Sequence, residues 1–188
     1  FVILWAGVNR RRKMIPAAFE AVAKFAKRTK AQKILFWVHS YRVPDTPSYD
    51  LQALADHYEL RNLDVMTINT ERLPDAAVPL MLASADVGIS PSGGEGFGLI
   101  PLEAAACRGP FFVTAYTGQI EAVPAIVKDV PDNFLHIPPK AIIPQEGNII
   151  CWAWADTDIL AERLEAYWSE PKLRTKLKRA CFEWAQKF

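Results

Sequence analysis

A glycine-rich loop with a carboxylate inside it is the segment best suited to bind a charged ligand. Residues 90–98 read SPSGGEGFG and hold four of the nine glycines in the chain. Glycine has no Cβ, so its backbone amides can approach a ligand closely. A helix expected from Leu99 would add unpaired amide groups and the positive end of its dipole. A short apolar run at 86–89, the loop and the helix start together predict a phosphate-binding site.

Two acids flank the end of this loop, with seven residues between them. Glu95 lies in the loop and Glu103 about one turn into the helix. Helical side chains lean toward the N-terminus, so the Glu103 carboxylate can point at the loop. A carboxylate can accept two hydroxyl hydrogen bonds, so a converging pair would suit a hydroxyl-rich ligand. The structural alternatives are a solvated loop acid at Glu95 and a helix-dipole partner at Glu103.

A cluster of four cations, residues 10–13, follows the first apolar run. Residues 1–33 hold nine basic side chains and a single acid, Glu20, whereas the remaining residues hold 13 basic and 20 acidic groups. We interpret residues 10–13 as an anion site, with a basic surface turn as the alternative. Nucleic acid is disfavoured, because the rest of the chain is acidic and does not interleave aromatic and basic residues.

Other motifs give weaker indications. Gly94, Gly96 and Gly98 resemble a dinucleotide-binding fingerprint, but that motif needs two residues before its third glycine and follows the first strand. Asp156 and Asp158 could hold a divalent metal, but an apolar helical stripe follows them, so we favour a helix N-cap. The histidines are scattered, and only one of them ends a strand at the expected ligand edge (His39, with His57 and His136 elsewhere).

Apolar runs and helical spacing alternate along the chain. The runs predict strands at 2–5, 33–38, 64–68, 86–89, 111–114 and 148–154. Helical spacing predicts helices at 15–28, 51–60, 75–84, 99–107, 157–169 and 172–187, with a weak one at 119–127. Gly109 is the expected C-terminal cap of 99–107, and 128–148, with four prolines, is expected to be irregular. The alternation predicts an α/β fold, a doubly wound parallel sheet of Rossmann-like type. Ligands bind at the carboxyl ends of such strands, so the loops 7–13 and 90–98 should open on one edge.

Composition limits the class of protein. The chain has 188 residues, is 51% hydrophobic and carries a net charge of +1, which indicates one globular domain and excludes a disordered chain. Its apolar runs fall short of the ~20 residues that a membrane span requires. Three cysteines without paired spacing disfavour a disulfide scaffold and a tetrahedral metal site and favour the reducing cytoplasm. The chain opens on a strand without an initiator Met, so we expect a piece of a longer protein.

The segment EGFGLIPLE, preceded by ADVGISPS and followed by AAACRGPFFVTAYTGQIE, resembles the donor-binding signature of retaining glycosyltransferases of family 4. The resemblance extends over nearly the whole chain, since the order of strands and helices fits the C-terminal donor domain of their two-domain GT-B fold. It implies metal-independent transfer, without a cofactor, from a nucleotide sugar such as a UDP- or GDP-sugar. It also implies that a sugar, lipid or protein acceptor binds an N-terminal domain missing from this chain, so the chain alone would have little or no activity. Peripheral contact with a membrane stays open.

The resemblance also assigns roles to residues. The expected catalytic group is Glu95, on the sugar hydroxyls, with Arg12 and Lys13 on the diphosphate. The family often has Arg where this chain has Val8, so Arg10 or Arg11 could substitute. The other expected donor-binding residues are Gly94, Gly96, Phe97, Gly98 and Leu99 in the loop, Glu103 on the ribose, Thr70 and Arg72 beside the base, and Gly118 and Glu121 closing the pocket.

Two other classes of protein stay open. A non-catalytic nucleotide-sugar-binding module would keep the same residues. Another enzyme with a phosphate loop would need different ones: an epimerase should show a catalytic set of His or Asp, and a pyridoxal-type phosphorylase should show a lysine in an apolar setting. Neither set stands out in the sequence.

Overall fold

The chain folds around a parallel six-stranded sheet. The computed structural model describes residues 1–29, 33–41, 48–60, 66–145 and 151–188. The strands lie in the order β3-β2-β1-β4-β5-β6. They are β1 (Val2–Val8), β2 (Leu35–Tyr41), β3 (Met66–Asn69), β4 (Val87–Ser90), β5 (Phe111–Thr114) and β6 (His136–Ile137). The order reverses between β1 and β4, which is the switch point where ligands of such sheets bind. The predicted α/β, Rossmann-like fold is confirmed.

Helices flank this sheet. Within the described ranges they are α1 (Ile15–Thr29), α2 (Leu51–His57), α3 (Val78–Ser84), α4 (Leu99–Ala106), α5 (Thr157–Ser169) and α6 (Pro171–Ala185). Helix α1 buries an apolar face because Phe19, Val22 and Phe25 recur at helical spacing. The Phe19 ring meets Phe36 of β2 edge-on, with centroids 5.2 Å apart. In the described part of the chain, the helices are all too short or too polar to cross a membrane.

Strands β1 and β2 are longer than predicted. Their ladder continues from Ala6 opposite His39 to Val8 opposite Tyr41, so His39 and Ser40 are strand residues rather than loop residues. The long ladder carries the end of β1 to the same edge as the end of β4. The loops that follow these two strands therefore open side by side, as predicted.

Two predicted helices differ from the structure. Residues 75–84 divide into a 3-10 turn, Asp75–Ala77, followed by α3, whose first turn contains Pro79. The prediction of a helix at 119–127 is wrong, because the segment is a 3-10 turn, Thr117–Glu121, and no helix continues through Pro124. Proline lacks the N–H that the next helical turn would need.

The prediction of an irregular segment at 128–148 is wrong for residues 136–144, nearly all of which are in strands, whereas 128–135 contain neither helix nor strand, as predicted. Strand β6 extends the sheet beside β5, and β7 (Pro139–Pro144) forms an antiparallel hairpin with β8 (Cys151–Ala155). Two prolines lie at the ends of β7, opposite Ala155 and Cys151, where a missing ladder donor costs little. The predicted strand positions 64–65 and 148–150 lie outside the described residues.

The end of α4 also differs in detail. Arg108, not Gly109, takes the left-handed conformation, with φ of 62°. Gly109 donates its N–H to the carbonyl of Ala104 at 2.7 Å. A Cβ on Gly109 would lie 3.2 Å from the carbonyl oxygen of Leu82. Glycine there serves a close approach to α3 rather than a positive φ.

Candidate functional site

The glycine-rich loop after β4 is held by neighbours on both sides. Gly93 donates its N–H to the carbonyl of Arg12 at 2.8 Å, and its own carbonyl accepts the N–H of Ala153 in β8 at 2.9 Å. The buried side chain of Gln119 donates to the carbonyl of Ser92 at 2.9 Å. The loop is therefore positioned by the β1–α1 connection, by β8 and by the Thr117–Glu121 turn.

The backbone of Glu95 is fixed by that same turn. Its N–H donates to the hydroxyl of Thr117 at 2.9 Å, and its carbonyl accepts the N–H of Gly118 at 3.2 Å. A Cβ on Gly118 would lie 1.9 Å from the carbonyl oxygen of Gly96, so a larger residue cannot fit without moving the loop. Gly118, which was predicted to close the pocket, thus lies where the backbone of the loop contacts the backbone of the turn.

Two cations share the Glu95 carboxylate, and we call Arg12, Lys13 and Glu95 the Glu95 cluster. Arg12 lies 2.6 Å from one carboxylate oxygen and Lys13 lies 2.6 Å from the other. Arg12 also donates to the carbonyl of Gly94. The carboxylate side chain is 11% exposed, against 35% for Arg12 and 19% for Lys13. Burial alone would raise the pKa of Glu95, but Lys13, Arg12 and Ser92 outweigh it and hold that pKa below its usual value.

The chain delivers both cations through a short turn after β1. Arg11–Lys13 form a 3-10 turn, and Met14 then takes a left-handed conformation, with φ of 47°, before α1 begins. The N–H of Lys13 donates to the carbonyl of Arg10 at 2.9 Å. Arg10 and Arg11 are exposed, whereas the next two side chains reach Glu95. The basic run thus divides into two solvated and two paired residues.

Lys13 and Glu95 of the Glu95 cluster line a cavity of about 550 Å³ at the carboxyl edge of the sheet. Its lining comprises Ala6, Lys13, Ser90, Glu95, Gly96, Phe97, Gly98, Leu99, Ile100 and Pro101. The first turn of α4 borders it, and its N-cap, Gly98, has φ of 99° and no side chain to cap the helix amides. Those amides and the helix dipole favour an anion there. A Cβ on Gly96 would meet nothing within 4 Å, so the loop backbone is accessible at that point.

The other predicted residues lie apart from this lining. Glu103 is on the exposed face of α4. Thr70 borders a separate depression of about 440 Å³ after β1, β2 and β3, and Arg72 is exposed two residues further on. Glu121 borders a third cavity, of about 840 Å³. The structure therefore groups Arg12, Lys13, Glu95 and the loop, with Gly118 packed behind, and leaves the other four apart. The role of each predicted site residue stays a prediction.

Several residues that support the site are not predicted by the sequence pattern. Thr117 and Gln119 hold the loop, and Asn9 clamps Tyr49, since its side chain donates to the Tyr49 carbonyl at 2.8 Å and accepts the Tyr49 N–H at 2.9 Å. Asn9 stood directly beside the basic run and Gln119 beside Gly118. Isolated polar residues of this kind carry little signal until the backbone they contact is known.

The Asp-x-Asp motif is a helix start. Asp156 is the N-cap of α5 and accepts the N–H groups of Asp158 at 3.0 Å and Ile159 at 3.2 Å. Asp158 pairs with Lys24 at 2.8 Å and Lys140 at 3.5 Å. The preferred interpretation as a cap is confirmed. Across the ranges that the structure describes, groups of three or more His, Cys, Asp or Glu able to hold a metal are absent.

The three histidines lie outside the lining of the cavity beside Glu95. His39 and His136 are buried, and burial lowers the pKa of each. His136 is fixed by the carbonyl of Ile120, 2.8 Å from its Nε2. His57 is exposed at the end of α2. None of the three contacts the Glu95 cluster, so they offer it no general base.

Comparison with known proteins points to sugar transfer. The family model for glycosyl transferases group 1 matches residues 1–129 of the chain. No curated protein sequence matches the chain.

Solved structures share the fold at low identity. The C-terminal domain of the glycosyl transferase group 1 family protein LpcC from Francisella tularensis superposes with a TM-score of 0.72 at 20% identity, over 99% of this chain and 84% of that one. Sucrose-phosphate synthase from Thermosynechococcus elongatus gives 0.74 at 21%, over 99% and 40%. Anabaena HepE, solved with UDP and glucose, gives 0.69 at 14%, over 100% and 44%. The chain thus spans less than half the length of the last two proteins.

Proposed function

Because this chain belongs to the glycosyl transferases group 1 family, we propose that it is the nucleotide-sugar donor domain of a retaining glycosyltransferase of family 4. The observation that carries the proposal is the Glu95 cluster beside the uncapped start of α4. Arg12 pairs with the Glu95 carboxylate, and Lys13, Glu95 and the first turn of α4 line one cavity of about 550 Å³. Its volume falls within the roughly 300–1,000 Å³ typical of small-molecule sites.

The cations of this cavity suit a diphosphate leaving group. Breaking the bond between sugar and diphosphate leaves negative charge that must be neutralised as it develops. We assign this task to Arg12, Lys13 and the first-turn amides of α4, without a metal ion. The guanidinium fork of Arg12 matches phosphate oxygens, and Lys13 acts as a point charge.

The remaining residues would bind the rest of the donor. Glu95 would accept hydrogen bonds from the sugar hydroxyls, and the amides of Gly94, Gly96, Phe97, Gly98 and Leu99 would border sugar and phosphate. Glu103 would hold the ribose, and Thr70 and Arg72 would lie beside the base, with Thr70 already at a polar depression of the same sheet edge. Gly118 and Glu121 would close the pocket. The UDP in the HepE structure makes UDP-sugars the first donors to test.

We further propose that the acceptor, which is a sugar, lipid or protein, binds a domain that is not part of these 188 residues. The chain covers 84% of the LpcC C-terminal domain and 40% of sucrose-phosphate synthase. The chain by itself should then bind a donor but transfer sugar poorly or not at all. The three cysteines are free thiols, which supports a reducing cytoplasmic setting.

A calorimetric titration tests the proposal. UDP-, GDP- and ADP-sugars are titrated against the 188-residue chain in EDTA and again with Mg²⁺. One of them should bind equally well in both buffers, and Arg12→Ala should weaken it about tenfold or more, as loss of a charged hydrogen bond would. Arg179→Ala is the matched control, because Arg179 is exposed on α6 and pairs with Glu183 of its own helix. Lack of binding by every nucleotide sugar would refute the donor site.

A further inference from the structure

We infer that Glu95 lets this site discriminate an intact nucleotide sugar from a diphosphate that carries no sugar, because its carboxylate competes with the diphosphate for Arg12 and Lys13. The inference rests on the proposed function and adds a role in specificity and product release. In this role Glu95 weakens the binding of the leaving diphosphate and strengthens the binding of the sugar.

The first step concerns the cations, which are already occupied. Each oxygen of the Glu95 carboxylate has its own partner at 2.6 Å, Arg12 on one side and Lys13 on the other. Charged hydrogen bonds of this length are among the strong ones in proteins. A diphosphate that enters the cavity must therefore draw Arg12 and Lys13 away from Glu95 before it gains their full charge.

The second step concerns the carboxylate, which stays at the cavity when Arg12 and Lys13 move toward a phosphate. The backbone of Glu95 is held on both sides of the residue, by the Thr117 hydroxyl at 2.9 Å and the Gly118 N–H at 3.2 Å. Its side chain is 11% exposed and borders the cavity. Once the cations turn to phosphate, a largely buried carboxylate remains without its partners, and such a charge is costly.

The third step separates the two kinds of ligand. A nucleotide sugar brings hydroxyl groups, which donate hydrogen bonds to a carboxylate. A bare diphosphate brings mainly acceptor oxygens and negative charge, which repels a carboxylate, so it leaves Glu95 uncompensated. The same exchange of partners therefore costs little with the intact donor and much with the diphosphate product, which favours donor entry and product release.

Inorganic pyrophosphate is the probe that tests this inference without knowledge of the base. Its dissociation constant, and those of UDP-glucose and GDP-mannose, are measured on wild type and Glu95→Gln. The Gln side chain keeps the shape but frees the cations of a competing charge, so pyrophosphate should bind about tenfold more tightly. The ratio of nucleotide-sugar affinity to pyrophosphate affinity should fall by at least the same factor. Asp158→Asn is the control, since Asp158 also lies between two cations but outside the cavity lining, and it should change neither.

A second variant keeps the inference testable if Glu95→Gln folds poorly. Glu95→Asp retains the charge but is one methylene too short to hold both cations, so pyrophosphate affinity should rise by a smaller factor. Unchanged or weaker pyrophosphate binding by the folded variants would overturn the inference, because it would show that Arg12 and Lys13 hold carboxylate and phosphate together. If wild type binds a nucleotide sugar in that case, the proposed function stands. If wild type binds neither pyrophosphate nor a nucleotide sugar, both are refuted.

Discussion

Two carboxylates of this protein each lie between two cations, yet of the two only Glu95 lines the cavity of the candidate site. Glu95 lies between Arg12 and Lys13, and Asp158 lies between Lys24 and Lys140. The Glu95 side chain is 11% exposed and borders a cavity, whereas that of Asp158 is 52% exposed on the first turn of α5. Residue types alone do not distinguish these two groups.

The difference lies in what holds each carboxylate. Asp158 pairs across the surface, where water screens the charges and the gain is small. Hydrogen bonding to Lys24 is the main cause that lowers the pKa of Asp158, and desolvation acts in the opposite direction. Glu95 has its backbone fixed by a neighbouring turn and its charge balanced inside a pocket. Glu95 therefore differs from Asp158 in its support and burial rather than in its partners.

The largest effect on this comparison should come from Gly118, which supports Glu95 from outside the cavity lining. In Gly118→Ala the new methyl group would lie 1.9 Å from the Gly96 carbonyl oxygen, so the loop or the turn must move. We expect a loss of about 3 kcal/mol in the free energy of unfolding, at the upper end of the cost of overpacking. Urea denaturation measures it.

Gly96→Ala is the matched control for this substitution. A Cβ on Gly96 meets nothing within 4 Å, and its φ lies outside the positive range. Stability should change little, although the methyl group would enter the donor cavity and weaken nucleotide-sugar binding. Equal stability losses in the two variants would show that the loop and turn are not packed as described.

A smaller effect, with a defined pH dependence, should distinguish the two carboxylates directly. Glu95→Gln should cost about 1 to 2 kcal/mol of unfolding free energy at neutral pH, because two partly buried ion pairs lose their charge. Asp158→Asn should cost much less, as an exposed pair does. The measurement is urea denaturation of both variants and wild type from pH 7 to pH 3.

The sign of the pH dependence follows from the lowered pKa of Glu95. A carboxylate with a depressed folded-state pKa contributes stability that is complete above its ordinary pKa, near 4.5, and that disappears as the pH falls through the lowered value. The deficit of Glu95→Gln should therefore be constant from pH 7 to about 5 and vanish in stronger acid. A deficit that persists unchanged at pH 3 would mean that Gln disturbs packing rather than charge.

The fold could be predicted where local pattern and tertiary structure agree. The helix at 157–169 is confirmed as α5 because its Asp cap and apolar stripe are both local features. Strand β7 was missed because its prolines lie at the ends of a ladder that only the partner strand defines. The ends of β1 and β2 were placed too early, since Ala6–Val8 pair with residues that look like a loop in isolation.

The site could be predicted in part for the same reason. Arg12 and Lys13 are adjacent in one segment and the glycine-rich loop is a second continuous segment, and the parallel sheet brings the two segments together. Direct pairing of both cations with Glu95 could not be predicted, because the groups that hold the Glu95 backbone are the Thr117 hydroxyl and the Gly118 N–H, over twenty residues away. Long-range backbone contacts of this kind leave no spacing pattern to detect.

The smallest expected effect is that of substituting Asp156. It tests whether the acidic start of α5, Asp156 and Asp158, has only a structural role. Asp156→Ala removes the side-chain oxygen that accepts two N–H groups of α5, so it should cost about 1 kcal/mol of unfolding free energy. Asp156→Asn, which keeps an accepting oxygen at the cap, should restore most of that loss. Nucleotide-sugar affinity should be the same in both variants and in wild type, with EDTA or with Mg²⁺. A Mg²⁺-dependent affinity that Asp156→Asn abolishes would reverse the comparison, because the acidic helix start would then be part of the site and the cations around Glu95 would no longer suffice.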